Sequence, residues 1–478
     1  MCSIIGINGQ NVNNRLFKML NILKHRGPDA TGIYSNGKLF FNEEINDKID
    51  ESEFILAHNL LSIVGNNEIQ PIKSGNLVLI ANAEIYNYEK LLLDYNLDNF
   101  KTNSDCEIIL KLIEKFYGNN LKEAVLKTIS LLDGDYAFCV YDNKDYVAVR
   151  DEIGVKPLHY AFDENTFSFS SESKALKAIN LNNSQSLNPR YAIVNNSLLK
   201  IRDEFTRYES KIPYEDLKNE LKTNLLEATK KRTKNLDHVA LLFSAGVDST
   251  LIAILLKKLN VNTTLYTIGT ENSQDLKFSK KVAKDIDMPL KTWIINQEII
   301  EKQLEDTINT IEDTNLMKIG VGMTIKLTSQ LASKDNQKVI LSGQGADELF
   351  CGYNRYKNKY DTPAELLDEL THDLNNMYHV NLERDDKATM SNSIELRVPF
   401  LDRNVIETAV KTPIKYMLHS NEDKIRKHIL REVAYEMGVP EYIAFRPKKA
   451  AQYGTGIDKI IKKKILKKKE FTKLLENY

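Results

Sequence analysis

Residues 240–250 read Ala-Leu-Leu-Phe-Ser-Ala-Gly-Val-Asp-Ser-Thr, an apolar strand end that opens into a loop of small residues. An apolar run at 251–256 follows and is typical of a buried helix. A strand, a small-residue turn and a helix N-terminus together point backbone N–H groups at an anion, and the helix dipole favours negative charge there. The stretch therefore predicts a phosphate-binding turn of an α/β sheet, with an ordinary tight turn as the plainer alternative.

The residues that follow alternate between apolar strands and helices. Further strand candidates lie at 263–270 and 338–341. Strands that alternate with helices of ten or more residues build a parallel sheet. Because ligands bind beyond the carboxyl ends of such strands, the loop at 342–348 is expected to face the same crevice as the loop at 244–250. The acids of the two loops, Asp248 and Asp347, are then placed to share a Mg²⁺, which prefers oxygen ligands.

The first half of the chain has the pattern of a layered α+β domain. One helix is predicted from Ser104 to Tyr117, with Ser104 as its N-cap and Glu107 three residues later in a capping box. Short runs rich in Val, Ile, Leu and aromatic residues, separated by Gly, Asn and Asp, are strand candidates. They read CSIIGI, FILAHNLLSIV, LVLIANA, YAFCVYD and YVAVRD.

The domain boundary is expected where the pattern changes, near residues 190–210. A chain of 478 residues is long for one hydrophobic core, so two domains are the better expectation. We place them at residues 2–195 and 205–478, with a polar helix around 214–231 near the start of the second. The basic tail at 460–478 is interpreted as a surface helix rather than as a membrane or nucleic-acid patch.

Composition argues against several classes of protein. The chain carries 65 basic and 66 acidic side chains and a formal net charge of −1, so it has no overall field to attract nucleic acid or an anionic membrane. No run approaches about 18 apolar residues, and residues 1–10 do not resemble a secretory signal. The four cysteines show no Cys-x-x-Cys spacing, which disfavours zinc and disulfides. We therefore expect a cytoplasmic protein with neither a nucleic-acid nor a membrane partner.

Four motifs in order along the second half resemble a known family. They read SAGVDST (244–250), SGQGADELFCGY (342–353), SIELRVPFLD (393–402) and KIRKHILRE (424–432). The first resembles the loop of ATP pyrophosphatases, and together they resemble the synthetase domain of glutamine-hydrolysing asparagine synthetases. The first half of the chain resembles the glutaminase domain of the same family. The resemblance implies an αββα N-terminal-nucleophile domain followed by an α/β ATP-pyrophosphatase domain, in which an acid is adenylated and ammonia then displaces AMP.

The resemblance also implies roles for individual residues of the second half. Lys448 matches a lysine that stabilises the charge developing at the adenylate, an effect that acts mainly in the transition state. Asp248 and Asp347 match the acids that bind magnesium. The implied ATP-binding residues are Leu242, Ser244, Gly246, Asp248, Ser249, Thr250, Ile268, Ser342 and Gly343.

Cys2 is the candidate nucleophile of the first half. If Met1 is removed, Cys2 carries a thiol and a free amine of pKa roughly 7.7 to 8, which can accept the thiol proton. The resemblance implies that Asn82 and Ala83 stabilise the oxyanion. It also implies that glutamine is held by Arg26, Asn82, Glu84 and Asp105.

Several positions depart from the family pattern, among them Gln344, which stands where the family has a glutamate. Leu60 stands where the family has an arginine that clamps the glutamine carboxylate, so free ammonia is an alternative nitrogen source. Ala83 replaces a glycine whose N–H helps to bind the oxyanion. Residues 317–320 read Met-Lys-Ile-Gly where the family has Thr-Thr-x-Arg, and Lys318 is the candidate to replace that arginine as the partner of the acid substrate. Aspartate, ATP and either glutamine or ammonia are the expected substrates, with ATP and Mg²⁺ as cofactors and a homodimer left open. A synthetase that adenylates another acid and a non-catalytic regulatory homologue remain alternatives.

Overall fold

The computed structural model describes residues 2–10, 12–42, 45, 49, 52–63, 68–447 and 454–465. The chain forms two compact units. The first, here called the amino unit, comprises Met1–Glu204 together with Met377–Ser393. The second, the carboxyl unit, comprises Phe205–Asn376 and Ile394–Tyr478. A short segment from the second half of the sequence therefore belongs to the amino unit.

The described residues form strands and helices in the following order. The strands are β1 (Ser3–Gly9), β2 (Ala30–Ser35), β3 (Lys38–Phe41), β4 (Phe54–Leu60), β5 (Ile72–Ser74), β6 (Leu77–Ile85), β7 (Gly134–Tyr141), β8 (Tyr146–Arg150), β9 (His159–Phe162), β10 (Thr166–Ser170), β11 (Gln185–Ser186), β12 (Tyr191–Val194), β13 (Ser197–Lys200), β14 (Val239–Leu242), β15 (Thr263–Gly269), β16 (Leu290–Ile294), β17 (Val339–Leu341) and β18 (Glu395–Arg397). The helices are α1 (Asn13–Ile22), α2 (Tyr88–Asp94), α3 (Glu107–Phe116), α4 (Leu121–Ile129), α5 (Ser173–Lys177), α6 (Tyr214–Lys231), α7 (Val247–Lys258), α8 (Gln274–Asp285), α9 (Gln297–Ile311), α10 (Leu316–Ser333), α11 (Ala346–Leu349), α12 (Pro363–Met377), α13 (Glu383–Met390), α14 (Arg403–Val410), α15 (His428–Glu436), α16 (Glu441–Ala444) and α17 (Ile457–Ile460).

The amino unit is a sandwich of two antiparallel sheets. The first sheet has the order β11-β9-β10-β1-β4-β2-β3 and the second β13-β12-β8-β7-β6-β5. Side chains alternate along each strand, so Ile4 of β1 packs between the sheets whereas Ile5 packs against α1 and α5. On the second sheet, Ile80 faces inward and Leu79 packs against α3 and α4. The predicted αββα architecture is therefore confirmed.

Helix α3 begins later than the sequence predicts. Its first residue is Glu107, and its N-cap residue is Cys106, which makes no side-chain cap. Ser104 Oγ accepts the N–H of Cys106 at 3.2 Å, while the Glu107 carboxylate accepts the N–H groups of Lys101 and Thr102 at 2.7 to 3.0 Å. The predicted capping box was wrong, because Glu107 turns back to the preceding loop. Helices α1, α2, α4 and α5 were also missed by the single-helix prediction.

The carboxyl unit is built on five parallel strands in the order β16-β15-β14-β17-β18. The chain runs outward from β14 to β15 and β16, and then returns to β17 on the other side of β14. The strand order therefore reverses between β14 and β17, where an open parallel sheet has its binding crevice. The predicted parallel sheet is confirmed, and α6 spans the residues predicted for it. Within the described part of the chain, no helix is long and apolar enough to cross a membrane.

Candidate active sites

Cys2 lies immediately before β1 at one end of the sandwich. Its side chain is buried and packs with Ala30 of β2 and Leu60 of β4, two strands of the sheet that contains β1. Its backbone nitrogen donates to Asn82 Oδ1 from the second sheet at 3.0 Å. Asn82 is fully buried, and its Nδ2 has no hydrogen-bond partner among the described residues. A buried amide donor without a partner beside a thiol suits the stabilisation of an oxyanion.

Two of the departures from the family pattern lie in this site. Leu60 ends β4 and contacts Cys2, so an apolar side chain lines the nucleophile where the family has a cation. Ala83 lies inside β6, an extended strand whose backbone conformation any residue adopts. The alanine is therefore unstrained, and its N–H group is retained.

The residues predicted to hold glutamine lie near the end of β6. Glu84 is in β6 itself, and Asp105 Oδ2 accepts the N–H of Ile85 at 2.6 Å. The neighbouring Cys106 is buried, and burial, followed by the charge of Asp105, raises the pKa of its thiol well above the usual value. A thiol that is kept protonated and buried is a poor nucleophile, so Cys106 has a packing role.

Arg26 has partners within the protein. It is fully buried, its Nη1 donates to Glu172 Oε1 at 2.7 Å and to Asp386 Oδ2 at 2.6 Å, and its Nε donates to the carbonyl of Cys2 at 3.3 Å. Burial opposes the charge, but Asp386 and Glu172 hold the pKa of Arg26 above its ordinary value. These contacts suit Arg26 to holding Cys2 in place, and its contact with glutamine stays a prediction.

The loop after β14 has the geometry of a phosphate site. Gly246 is the N-cap of α7, and Ser244 Oγ lies 3.3 Å from Ser249 Oγ. The preceding Ala245 has a φ of 55°, a left-handed conformation that costs a non-glycine residue roughly 1 kcal/mol. Thr250 is fully buried and its hydroxyl has no hydrogen-bond partner in the described residues. Hydroxyl and N–H donors thus converge at a helix N-terminus, an arrangement that fits an anion.

The loop after β17 lies directly against the first loop. A Cβ atom on Gly343 would lie 3.0 Å from the Cβ of Asp248, so any larger residue would push the two loops apart by a few tenths of an ångström. Gly345 follows with a φ of +94° and is the N-cap residue of α11, which carries Asp347. The structure therefore brings the two predicted loops together at the edge where the strand order reverses.

A lysine joins the acids of the two loops. Lys427 Nζ lies 2.9 Å from both carboxylate oxygens of Asp248 and 2.6 Å from Asp347 Oδ1. Lys427 is fully buried. Two carboxylates that share one cation are close enough to share another, so the predicted Mg²⁺ pair fits this arrangement.

The backbone at Lys427 is strained and firmly held. Arg426 and Lys427 have φ values of 56° and 57°, which cost on the order of 1–3 kcal/mol each for non-glycine residues. Asp423 Oδ1 accepts the N–H groups of Ile425 at 2.8 Å and Arg426 at 3.0 Å. Burial opposes ionisation of Asp423, but these bonds and the contact with His428 lower its pKa to about 2. Strain supported in this way is typical of functional sites.

Lys427 was not among the predicted site residues. The motif KIRKHILRE contains several basic side chains, and nothing in the sequence distinguishes one from the others until the fold buries one against Asp248 and Asp347.

Of the predicted residues, Leu242, Ile268 and Ser342 lie at or just after the carboxyl ends of β14, β15 and β17. Lys448 lies outside the described residues.

Lys318 pairs with an acid of its own segment, and its contact with the acid substrate stays a prediction. Its Nζ lies 2.7 Å from Asp313 Oδ2, in a pair near the N-terminus of α10. The ammonium group is therefore already neutralised within the protein.

Comparisons with known proteins agree with this arrangement. A glutamine amidotransferase domain family matches residues 1–204, and the asparagine synthase family matches residues 220–366 and 358–470. A Methanocaldococcus jannaschii protein named "Putative asparagine synthetase (glutamine-hydrolyzing) 1" is 39% identical, over 99% of this chain and 97% of the relative. Asparagine synthetase B (glutamine-hydrolyzing) of Escherichia coli K12 is 29% identical, over 95% of this chain and 83% of the relative.

A solved structure, the glutamine phosphoribosylpyrophosphate amidotransferase from B. subtilis, is 19% identical over 58% of this chain and 70% of its own, with a TM-score of 0.38. A similarity of that size supports no functional conclusion by itself. The two matched domain families define a carbon–nitrogen ligase with glutamine as amide donor. The chain belongs to the family of glutamine-hydrolysing asparagine synthetases.

Proposed function

We propose that the protein converts aspartate to asparagine with ATP, using ammonia taken from glutamine at Cys2 or from solution. The observation that carries the proposal is the meeting of Asp248 and Asp347 on the buried ammonium of Lys427, beside a helix N-terminus. The family membership and the names of the relatives support the choice of aspartate and glutamine.

In the glutaminase reaction, the Cys2 sulfur attacks the side-chain amide carbon of glutamine. The oxyanion that forms accepts hydrogen bonds from Asn82 Nδ2 and the N–H of Ala83, which are worth most in a dry site. Ammonia then leaves with the proton of the thiol, and a thioester remains. Water hydrolyses the thioester, which releases glutamate and restores the thiol.

In the synthetase reaction, the aspartate side-chain carboxylate attacks the α-phosphorus of ATP. The bond to the β-phosphate breaks, and the donors of residues 244–250 hold the pyrophosphate that leaves. Asp248 and Asp347 would hold Mg²⁺, which neutralises phosphate charge when bound. Lys427 adds a fixed positive charge beside both acids. Ammonia then attacks the acyl carbon of the adenylate, and AMP leaves.

Product analysis with ATP, Mg²⁺ and aspartate, in the presence of glutamine or of ammonia, tests the proposal. We expect asparagine, AMP and pyrophosphate in equal amounts from either nitrogen source. The variant Cys2→Ala should lose the glutamine-dependent reaction and keep the ammonia-dependent reaction, because only the first needs the thiol. Equal loss of both reactions in Cys2→Ala would show that Cys2 is structural.

A second candidate is amidation of a different acid. The pairing of Lys318 with Asp313 favours it, because the cation expected to meet the carboxylate of aspartate is already neutralised. ATP–pyrophosphate exchange measured across a panel of amino and dicarboxylic acids separates the two candidates. Exchange that ignores aspartate and responds to another acid would replace aspartate as the substrate.

A further inference from the structure

Residues 377–393 place a helix of charged residues inside the amino unit. The segment lies between α12 and β18 in the sequence, yet it belongs with the glutaminase fold. All residues of α13 are buried, including the five consecutive charged side chains of residues 383–387. Burying ion pairs is often neutral or unfavourable for stability compared with apolar packing. The buried charges of α13 are therefore weak evidence for a purely stabilising role, and what each of them contacts matters.

Two contacts anchor the segment at its ends. Glu383 Oε1 lies 3.0 Å from Arg150 Nη1 and accepts a hydrogen bond from Ser186. Burial opposes its charge, but His159 and Arg150 hold the pKa of Glu383 at about 2. At the other end, Ser393 Oγ donates to the carbonyl of His25 at 2.7 Å. The segment is thereby fixed against the turn that carries Arg26.

Between these anchors, Asp386 contacts Arg26. Its Oδ2 lies 2.6 Å from Arg26 Nη1, while its Oδ1 has no hydrogen-bond partner among the described residues. Glu172 Oε1 contacts the same nitrogen at 2.7 Å, and the Nε of the same guanidinium donates to the Cys2 carbonyl at 3.3 Å. Because a guanidinium is planar and rigid, two carboxylates that fix Nη1 also fix the direction in which Nε points.

We propose that Asp386 is a positioning residue of the glutaminase: it orients Arg26, which holds the backbone of Cys2 and so sets the thiol against the amide of glutamine. The inference rests on the proposed function, because it concerns the same nucleophile. Asp386 touches no substrate and acts only through Arg26. It also means that a residue encoded in the synthetase half of the sequence supports the glutaminase half.

The variant Asp386→Asn tests the proposal, because the amide keeps the size of the side chain and removes its charge. We expect the glutaminase kcat to fall by roughly 10- to 10²-fold, the cost of a small misplacement of a reacting group. The pH profile of Cys2 alkylation by iodoacetamide should shift as well. Ammonia-dependent asparagine synthesis should be unchanged. Asp386→Glu, which restores the charge, should recover part of the lost kcat.

The matched control is Asp385→Asn. Asp385 is the neighbouring residue, is equally buried and is ion-paired with Arg384 at 2.7 Å rather than with Arg26. The variant Asp385→Asn should leave both the glutaminase kcat and the pH profile of Cys2 alkylation unchanged. In the double variant Arg26→Gln/Asp386→Asn, the loss should equal that of Arg26→Gln alone, because the two residues act in series.

Three results would overturn the proposal. They are an unchanged kcat and alkylation profile in Asp386→Asn, an equal loss in Asp385→Asn, or losses that multiply in the double variant. The alkylation assay needs no glutamine turnover. If the wild-type protein did not hydrolyse glutamine, the proposed glutaminase would fail, while alkylation would still report whether Asp386 positions Cys2.

Discussion

The Cys2 site and the site at Asp248 and Asp347 differ in the charges of the residues that line them. The Cys2 side chain packs with the apolar Ala30 and Leu60, and its backbone nitrogen donates to the neutral amide of Asn82, while the charged Arg26 contacts the backbone carbonyl of Cys2. At the other site, charges meet directly, with two carboxylates on one buried ammonium. Attack on an amide creates one small oxyanion, which a dry, neutral donor stabilises well. The phosphates of ATP carry several negative charges, so the site that binds them must supply fixed positive charge.

The largest expected effect comes from removing the charge at the second site. In Lys427→Met, Asp248 and Asp347 lose the cation that holds them together, although most of the side-chain volume is kept. We expect ATP–pyrophosphate exchange to fall on the order of 10²- to 10³-fold, with glutamine hydrolysis unaffected.

The exposed Lys424, three residues earlier, provides the control for that variant. Lys424→Met should retain full exchange activity. Normal exchange in Lys427→Met would mean that the acid pair works without its lysine, and the contrast between the two sites would disappear.

A medium effect is expected from adding a charge to the first site. In Leu60→Arg, a cation beside Cys2 should bind the glutamine carboxylate and lower the KM for glutamine roughly 10- to 10²-fold, with kcat little changed. Steady-state glutaminase kinetics measure this change. Leu60→Met, which keeps the pocket apolar, should not alter KM. A raised KM in Leu60→Arg would show that the site recognises glutamine by other groups.

The smallest effect concerns stability in acid. Burial lowers the pKa of His58 to about 3, from 6.5 in the unfolded chain. The unfolded chain therefore binds a proton at His58 below pH 6.5, whereas the folded chain does so only near pH 3, so stability falls as pH falls through this window. At pH 5 the cost is about 2 kcal/mol.

His58→Leu should flatten the decline in thermal stability between pH 7 and pH 4. His379, an exposed imidazole of the same unit, provides the control, and His379→Gln should leave the decline as it is. A profile of His58→Leu that matches the wild type would mean that other groups cause the acid sensitivity of the amino unit.

Local patterns predicted the parts of the molecule that depend on sequence neighbours. Short runs rich in Val, Ile, Leu and aromatic residues located β1, β6 and β7, and the alternation of strands with helices predicted the parallel sheet. For α3 the helix was predicted but its capping box was wrong, because the Glu107 carboxylate bonds to a preceding loop whose path cannot be read from a capping pattern. Short elements such as β11 and α5 were missed because they carry little periodic signal and owe their form to packing.

By itself, the sequence determined the two-part architecture and most of the candidate residues, because phosphate loops, strand ends and an early cysteine are local features. The tertiary structure alone decided which of many basic residues matter. Lys427 becomes distinct only when the fold buries it between Asp248 and Asp347, and Asp386 only when a helix from the second half of the chain packs behind Cys2. The energy of a charge depends on burial and on partners distant in sequence, and neither property belongs to a residue before folding.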